Sequence, residues 1–350
     1  MQITKRKKHR FYFLLVTIFI IICLLILMKY ISKSKLVKFN NDWAICNYGQ
    51  SINGVKGIKD IDINVRSAWE ITKGNENVKV AVIDSGVDSS CNILKDKLLV
   101  NEYDPIDGVD NDQNGFTDDY NGWNFYDNNN IMYENYLHDY HGTYVASTIS
   151  KVAPEITILP VKFLKGTSGS IEDVIPAIKY AISGGADIIN CSWNFNDYST
   201  ELYEVIKSNP NILFVCAAGN SNINLDREDL YPCSYDLDNI ISVMSIDNVG
   251  KNYCNSGYGS KVDIGAPGVK VLVTLPENDE TLIDGTSVST AFVSGAAALL
   301  LSENEDLTPI EIREIIRSSA RKLKSLNLLC NSEGCLDIYN CLLKCKSLKK

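Results

Sequence analysis

The chain has 350 residues, 45% of them hydrophobic, which is enough for one large globular core or two ordinary ones. Its net charge is −9 at pH 7, and that charge is unevenly spread. Nine of the 34 basic residues and no acid fall within residues 1–38, so 25 basic residues face 43 acidic ones in the remainder. A body that acidic repels phosphate, which excludes nucleic acid as a natural partner and favours cations.

In chain order, a basic tail (1–10) is followed by "FYFLLVTIFIIICLLILM" (11–28), a run of 18 residues without a charge. That length suits a tilted transmembrane helix and exceeds a usual signal-peptide core. The segment after it reads "KYISKSK" rather than a small-residue cleavage site, so the run predicts an uncleaved signal anchor. A cleaved signal and secretion is the alternative. Basic residues flank both sides, and the positive-inside bias is slight. Residues 29–44 read as a linker.

Beyond the linker, strand-like and helix-like segments alternate. "VKVAVIDSG" (78–86), "ITILPVKFL" (156–164), "ADIINCSW" (186–193), "NILFVCAAGN" (211–220) and "IISVMSID" (240–247) read as buried strands. "IEDVIPAIKYAISGG" (171–185), "STELYEVIKSNP" (199–210), "STAFVSGAAALLLSEN" (289–304) and "TPIEIREIIRSSARKL" (308–323) read as helices, the last opened by Thr308 as N-cap and Pro309 at the first position. This alternation predicts an α/β fold with a mainly parallel central sheet and helices on both faces, three layers in all. In such sheets the working residues lie just past the carboxyl ends of strands. Asp84, Ser192 and Asn220 all end strands in this way.

"DGTSVSTAFVSG" (284–295) holds Ser287, Ser289 and Ser294 before an apolar run. One of them is a nucleophile, or all three are small residues for a buried helix. A serine nucleophile needs a base, and the base needs a carboxylate. The three histidines are His9, His138 and His141, and His9 precedes the membrane run. In "HDYHGTYVAS" His141 is expected in the first turn of a helix and His138 in the loop before it.

The motifs together resemble the subtilisin-like serine proteases, the subtilases. "VAVIDSGVD" is similar to the family's aspartate motif, "HGTYVAS" to its histidine motif, "AAGNS" to its oxyanion-asparagine motif and "GTSVSTAFVSG" to its serine motif. They occur in the family's order of aspartate, histidine and serine. The resemblance extends over about residues 45–345, which marks 45–350 as the peptidase domain. It implies Ser287 as nucleophile, His141 as base, Asp84 as orienting carboxylate and Asn220 as oxyanion donor. It gives Ser289 and Ser294 packing roles. It also implies two backbone strips that hold an extended polypeptide substrate, drawn from Thr167, Ser168 and Gly169 and from Ser192, Trp193 and Asn194, with Ala217, Ala218 and Gly219 beside them.

Departures from the pattern are Val288 for methionine, Ala291 for proline, Tyr144 for the second histidine and Ser147 for glycine. Asn194 stands where glycine is usual, and its side chain either narrows the groove or turns outward. The expected activity is serine endopeptidase, general or restricted to one processing step. The alternative is an inactive, membrane-tethered peptide-binding homologue. The body is expected to be monomeric and extracytoplasmic, and catalysis to need no cofactor.

"DGVDNDQNGFTDDYNGWNF" (107–125) predicts a structural calcium site. Asp110, Asp112, Asn114 and Asp118 fall at positions 1, 3, 5 and 9 of an EF-hand-like loop, with Gly115 at the turn and the Phe116 carbonyl at position 7. Asp107 and Asp119 are further candidate ligands. Position 12 is Asn121, and flanking EF-hand helices are not evident. Eleven cysteines are scattered without a C-x-x-C pair. Cys330, Cys335, Cys341 and Cys345 leave open a disulfide, a metal or simple thiols.

Overall fold

The computed structural model describes residues 42–348. The basic tail, the expected anchor (11–28) and most of the linker lie outside the described residues. No helix among the described residues is long and apolar enough to cross a membrane.

From Trp43 onward the chain forms one unit around a nine-stranded sheet. Its strands are β1 (Lys79–Asp84), β2 (Trp123–Asn124), β3 (Thr157–Lys162), β4 (Ile188–Cys191), β5 (Leu213–Ala217), β6 (Ile240–Ile246) and β7 (Ile264–Pro267). An outlying hairpin comprises β8 (Val271–Thr274) and β9 (Glu280–Ile283). Two short strands, β10 (Arg321–Lys322) and β11 (Gly334–Cys335), complete one edge of the sheet. The order across the sheet is β10-β11-β7-β6-β5-β4-β1-β3-β2, parallel throughout except for the β10–β11 pair. The central strands are apolar and buried along nearly their whole length, as strands covered on both faces must be.

Among the described residues, six helices of eight or more residues accompany the sheet: α1 (Tyr136–Val152), α2 (Ile171–Ser183), α3 (Thr200–Lys207), α4 (Thr286–Glu303), α5 (Pro309–Ser318) and α6 (Ile338–Leu348). α4 packs on β4, β5, β6 and β7 and against α1 and α6, while α2 packs on β1 and β3 and against α3. The α4 segment is buried on every side from Thr286 to Leu300, as a helix sunk in a core should be.

Several element boundaries differ from expectation, among them β5, which ends at Ala217, so Asn220 lies three residues past the strand end. α1 begins at Tyr136, capped by the Asn135 side chain, so His138 sits in its first turn and His141 in its second. α4 begins at Thr286 rather than Ser289, which places Ser287 in its first turn. α5 stops at Ser318, and Arg321–Lys322 leaves the expected helix to pair antiparallel with Gly334–Cys335.

Candidate active site

Asp84 is the last residue of β1 and is fully buried. Its Oδ1 accepts the Ser85 N–H at 2.7 Å and lies 2.7 Å from His141 Nδ1. Its Oδ2 is buried and has no hydrogen-bond partner among the described residues. The carboxylate charge is therefore directed at the imidazole and not spent on other side chains.

His141 reaches Asp84 because α1 approaches β1 very closely. A β-carbon on Gly142 would stand 2.3 Å from the Gly86 carbonyl oxygen, so only glycine fits there. The Gly142 N–H donates to Ser85 Oγ, and the Asp88 N–H donates to Thr143 Oγ1. Below this junction the fully buried Lys162 ammonium, at the end of β3, sits 2.8 Å from Asp139 Oδ1 and 3.5 Å from Glu134. The Asp139 carboxylate also accepts from the Glu134 and Asn135 N–H groups. A fully paired ion of this kind orients the start of α1, whereas an unpaired one would be costly to bury.

The other ring nitrogen, Nε2, lies 3.0 Å from Ser287 Oγ. Ser287 is the second residue of α4, where backbone N–H groups lack partners within the helix. The turn into the helix passes through Gly285 at φ 147°, a conformation that side chains oppose. Ser192 braces the nucleophile: its hydroxyl donates to the Ser287 carbonyl at 3.0 Å, and its own carbonyl oxygen lies 3.2 Å from Ser287 Oγ. Asn220 follows β5, and its Oδ1 accepts from the Thr286 N–H at 2.9 Å and the Thr286 hydroxyl at 3.1 Å. With the oxygen held, the amide NH2 is the end available to a developing anion.

Tyr144, in place of the family's second histidine, stands edge-on to the His141 ring with centroids 4.8 Å apart. Burial, reinforced by the Asp84 carboxylate, pushes its phenol well above the ordinary value, so it stays neutral. Ser289 bonds to the Pro267 carbonyl and to Ser245, and Ser294 to Asn190, all buried contacts away from the triad. His138 lies near Asn135 and Glu134 rather than near a serine.

The expected substrate strips are placed less uniformly. Lys165 and Ser168 pair with each other, closing Thr167 and its neighbours into an exposed turn tied to α1 through Gly166 N–H and the His138 carbonyl. Gly169 follows this turn. The Trp193 side chain is a core anchor, donating to the Ile83 carbonyl and packing on Phe163 and Phe195. The Asn194 side chain turns inward, donating to the Ala217 carbonyl at 2.7 Å. Ala218 N–H bonds to Val243, and the Gly219 carbonyl accepts from Gly257.

In the acidic loop, carboxylate oxygens of Asp104, Asp110 and Asp112 come within 4.8 Å of one another. Asp104 carries no signal in the sequence, because it lies ahead of the EF-hand-like spacing and joins the cluster only through the fold. Asp118 and Asp107 turn to the loop itself: Asp118 accepts from the Asp107 and Gly108 N–H groups, and Asp107 accepts from Val109. Asn114 Oδ1 accepts from the Phe116 N–H, and Phe116 packs its ring on Trp123 and Tyr180. Asp119 is buried and accepts from the Tyr180 hydroxyl at 2.8 Å. Cys330, Cys335 and Cys341 are buried free thiols.

Comparison with known proteins identifies the family. The sequence profile of the subtilase family matches residues 75–334. The chain is 34% identical over 269 residues to a thermophilic serine proteinase of Bacillus sp. (strain AK1), covering 73% of this chain and 59% of that protein. It is 32% identical over 289 residues to the major intracellular serine protease of Bacillus subtilis (strain 168), covering 78% and 82%. Two solved structures share the fold. One is a lanthipeptide protease, with TM-score 0.67 and 24% identity over 79% of this chain and 90% of that one. The other is the prenylagaramide maturation protease PagA, with TM-score 0.63 and 24% identity over 80% and 98%. The chain belongs to the subtilase family, whose members are serine endopeptidases.

Proposed function

We propose that this chain is a serine endopeptidase that hydrolyses polypeptides through an acyl-enzyme. The observation that carries the reading is the continuous line from Asp84 Oδ1 to His141 Nδ1 at 2.7 Å and from His141 Nε2 to Ser287 Oγ at 3.0 Å. Ser287 Oγ bonds to the scissile carbonyl carbon as its proton passes to Nε2. Asp84 accepts the Nδ1–H, fixes the tautomer and stabilises the imidazolium. The tetrahedral oxyanion takes hydrogen bonds from Asn220 Nδ2 and the Ser287 backbone N–H. His141 then gives the proton to the leaving amine. A water deprotonated by the same ring releases the acyl group and restores the serine.

Structural calcium belongs to the same reading. Three clustered carboxylates repel one another without a cation, and hard oxygen donors suit calcium. Asp104, Asp110 and Asp112 would hold the ion, which would stiffen the 104–119 loop and take no part in bond breaking. A single-pass anchor at 11–28 with an extracytoplasmic body completes the reading, and it rests on the sequence run.

Hydrolysis of an unfolded protein by the full chain, set against Ser287→Ala, tests the proposal. The expected loss is about 10⁶-fold, the size of the effect in subtilisin. Equal inertness of both proteins would favour the peptide-binding homologue.

A further inference from the structure

β4 and β5 are paired neighbours as far as Cys191 and Cys216. Beyond that point one strip, Ser192–Asn194, passes the nucleophile, and the other, Ala217–Gly219, leads into Asn220. A carbonyl carbon on Ser287 with its oxygen at Asn220 therefore presents its own residue's side chain to the slot between the strips. The Asn194 amide crosses that slot. Its Nδ2 donates to the Ala217 carbonyl at 2.7 Å and lies 3.7 Å from Cys233 Sγ. Its Oδ1 lies 3.4 Å from the place a β-carbon on Gly219 would occupy, and Leu230 Cδ1 lies 2.5 Å from the same place.

We propose that Asn194 is a specificity-determining residue that restricts the acyl-side position next to the scissile bond to small, uncharged side chains. The inference rests on the endopeptidase reading above. A large side chain would have to displace the amide, breaking its bond to Ala217 and leaving a buried carbonyl unpaired. A charged one would find no counter-charge among these groups. Burial pushes the Cys233 thiol up to about 12, so it stays neutral. Alanine and glycine fit above the amide, and a serine hydroxyl can donate to the Asn194 oxygen.

The test uses fluorogenic peptides that differ only in the residue before the cut: alanine, serine, phenylalanine, glutamate and lysine. Wild type is expected to favour alanine over phenylalanine in kcat/KM by about tenfold or more, the range set by steric selection in a pocket. Asn194→Gly is expected to raise the phenylalanine-to-alanine ratio by about tenfold, and Asn194→Ser by less. Fluorophosphonate labelling of Ser287 reports folding and catalysis in each variant. A wild type that labels yet cleaves the phenylalanine peptide as readily as the alanine one overturns the specificity inference alone. So does a variant that labels with an unchanged ratio. A wild type that neither labels nor cleaves removes the endopeptidase reading, and this inference with it.

Discussion

Asn220 is gripped by its oxygen, and that contact decides what a substitution there removes. Leucine would remove both the NH2 donor and the Oδ1 that accepts from Thr286, and because the donor acts on the transition-state oxyanion the effect should fall on kcat and little on KM. Asn220→Leu is expected to lower kcat by about 10²–10³, the magnitude known for the same donor in subtilisin. Steady-state kinetics on one peptide checks it, and an equal rise in KM with unchanged kcat would speak against the oxyanion role. At this scale the sequence was highly legible. Asp84, His141, Ser287 and Asn220 each sit in a short motif whose glycines and small residues exist to bring them together. Asp104 was not legible, because its meeting with Asp110 and Asp112 is made by loop folding and not by spacing. The direction of the Asn194 side chain is likewise set by the fold, through the Ala217 carbonyl that the neighbouring strand places opposite it.

At the scale of elements, the ends of helices carry testable weight. The Thr308 side chain accepts from the Glu311 N–H while the Glu311 carboxylate accepts from the Thr308 N–H and hydroxyl. Thr308→Ala is expected to cost about 1 kcal/mol at neutral pH, measured by denaturant titration. The Thr308 N–H, then its hydroxyl, hold the Glu311 carboxyl below its ordinary value. A depressed carboxylate contributes stability that is present above its unfolded pKa of 4.5 and lost as pH falls through the folded one. The gap between wild type and Thr308→Ala should therefore shrink near pH 3. α1 and α4 also press tightly together: a β-carbon on Gly295 would stand 2.6 Å from Val152 Cβ. Gly295→Val should destabilise by about 1–3 kcal/mol through overpacking, again read from denaturant midpoints. The thermodynamics of caps explains which boundaries the sequence disclosed. α5 opens on a strong cap signal, and its observed start agrees with the sequence. α4 opens on Gly285 without a side-chain cap, so its first turn carries no start signal in the sequence. Arg321–Lys322 has a helical local pattern and forms a strand only because its partner, Gly334–Cys335, lies further along the chain.

Over the whole molecule, the calcium ion proposed at Asp104, Asp110 and Asp112 would tie stability to cation concentration. Calcium well above its dissociation constant should raise the melting temperature of the full chain, and a chelator should reverse the gain. At a hundredfold excess over the constant the stabilisation is about 2.7 kcal/mol. Asp110→Asn and Asp112→Asn should each reduce the increment, and an identical response from Asp110→Asn would remove Asp110 from the site. The alternation of strands and helices made the large parallel sheet legible, since strands buried on both faces announce themselves as unbroken apolar runs. The order of strands across that sheet was not, because crossover connections are set by packing and not by local propensity.

The most direct measurement is mass spectrometry of the full chain after reaction with a fluorophosphonate. The account predicts one adduct, on Ser287, formed far more slowly in His141→Ala. An unmodified Ser287 beside a reactive control protease, or an adduct unaffected by loss of His141, would contradict it.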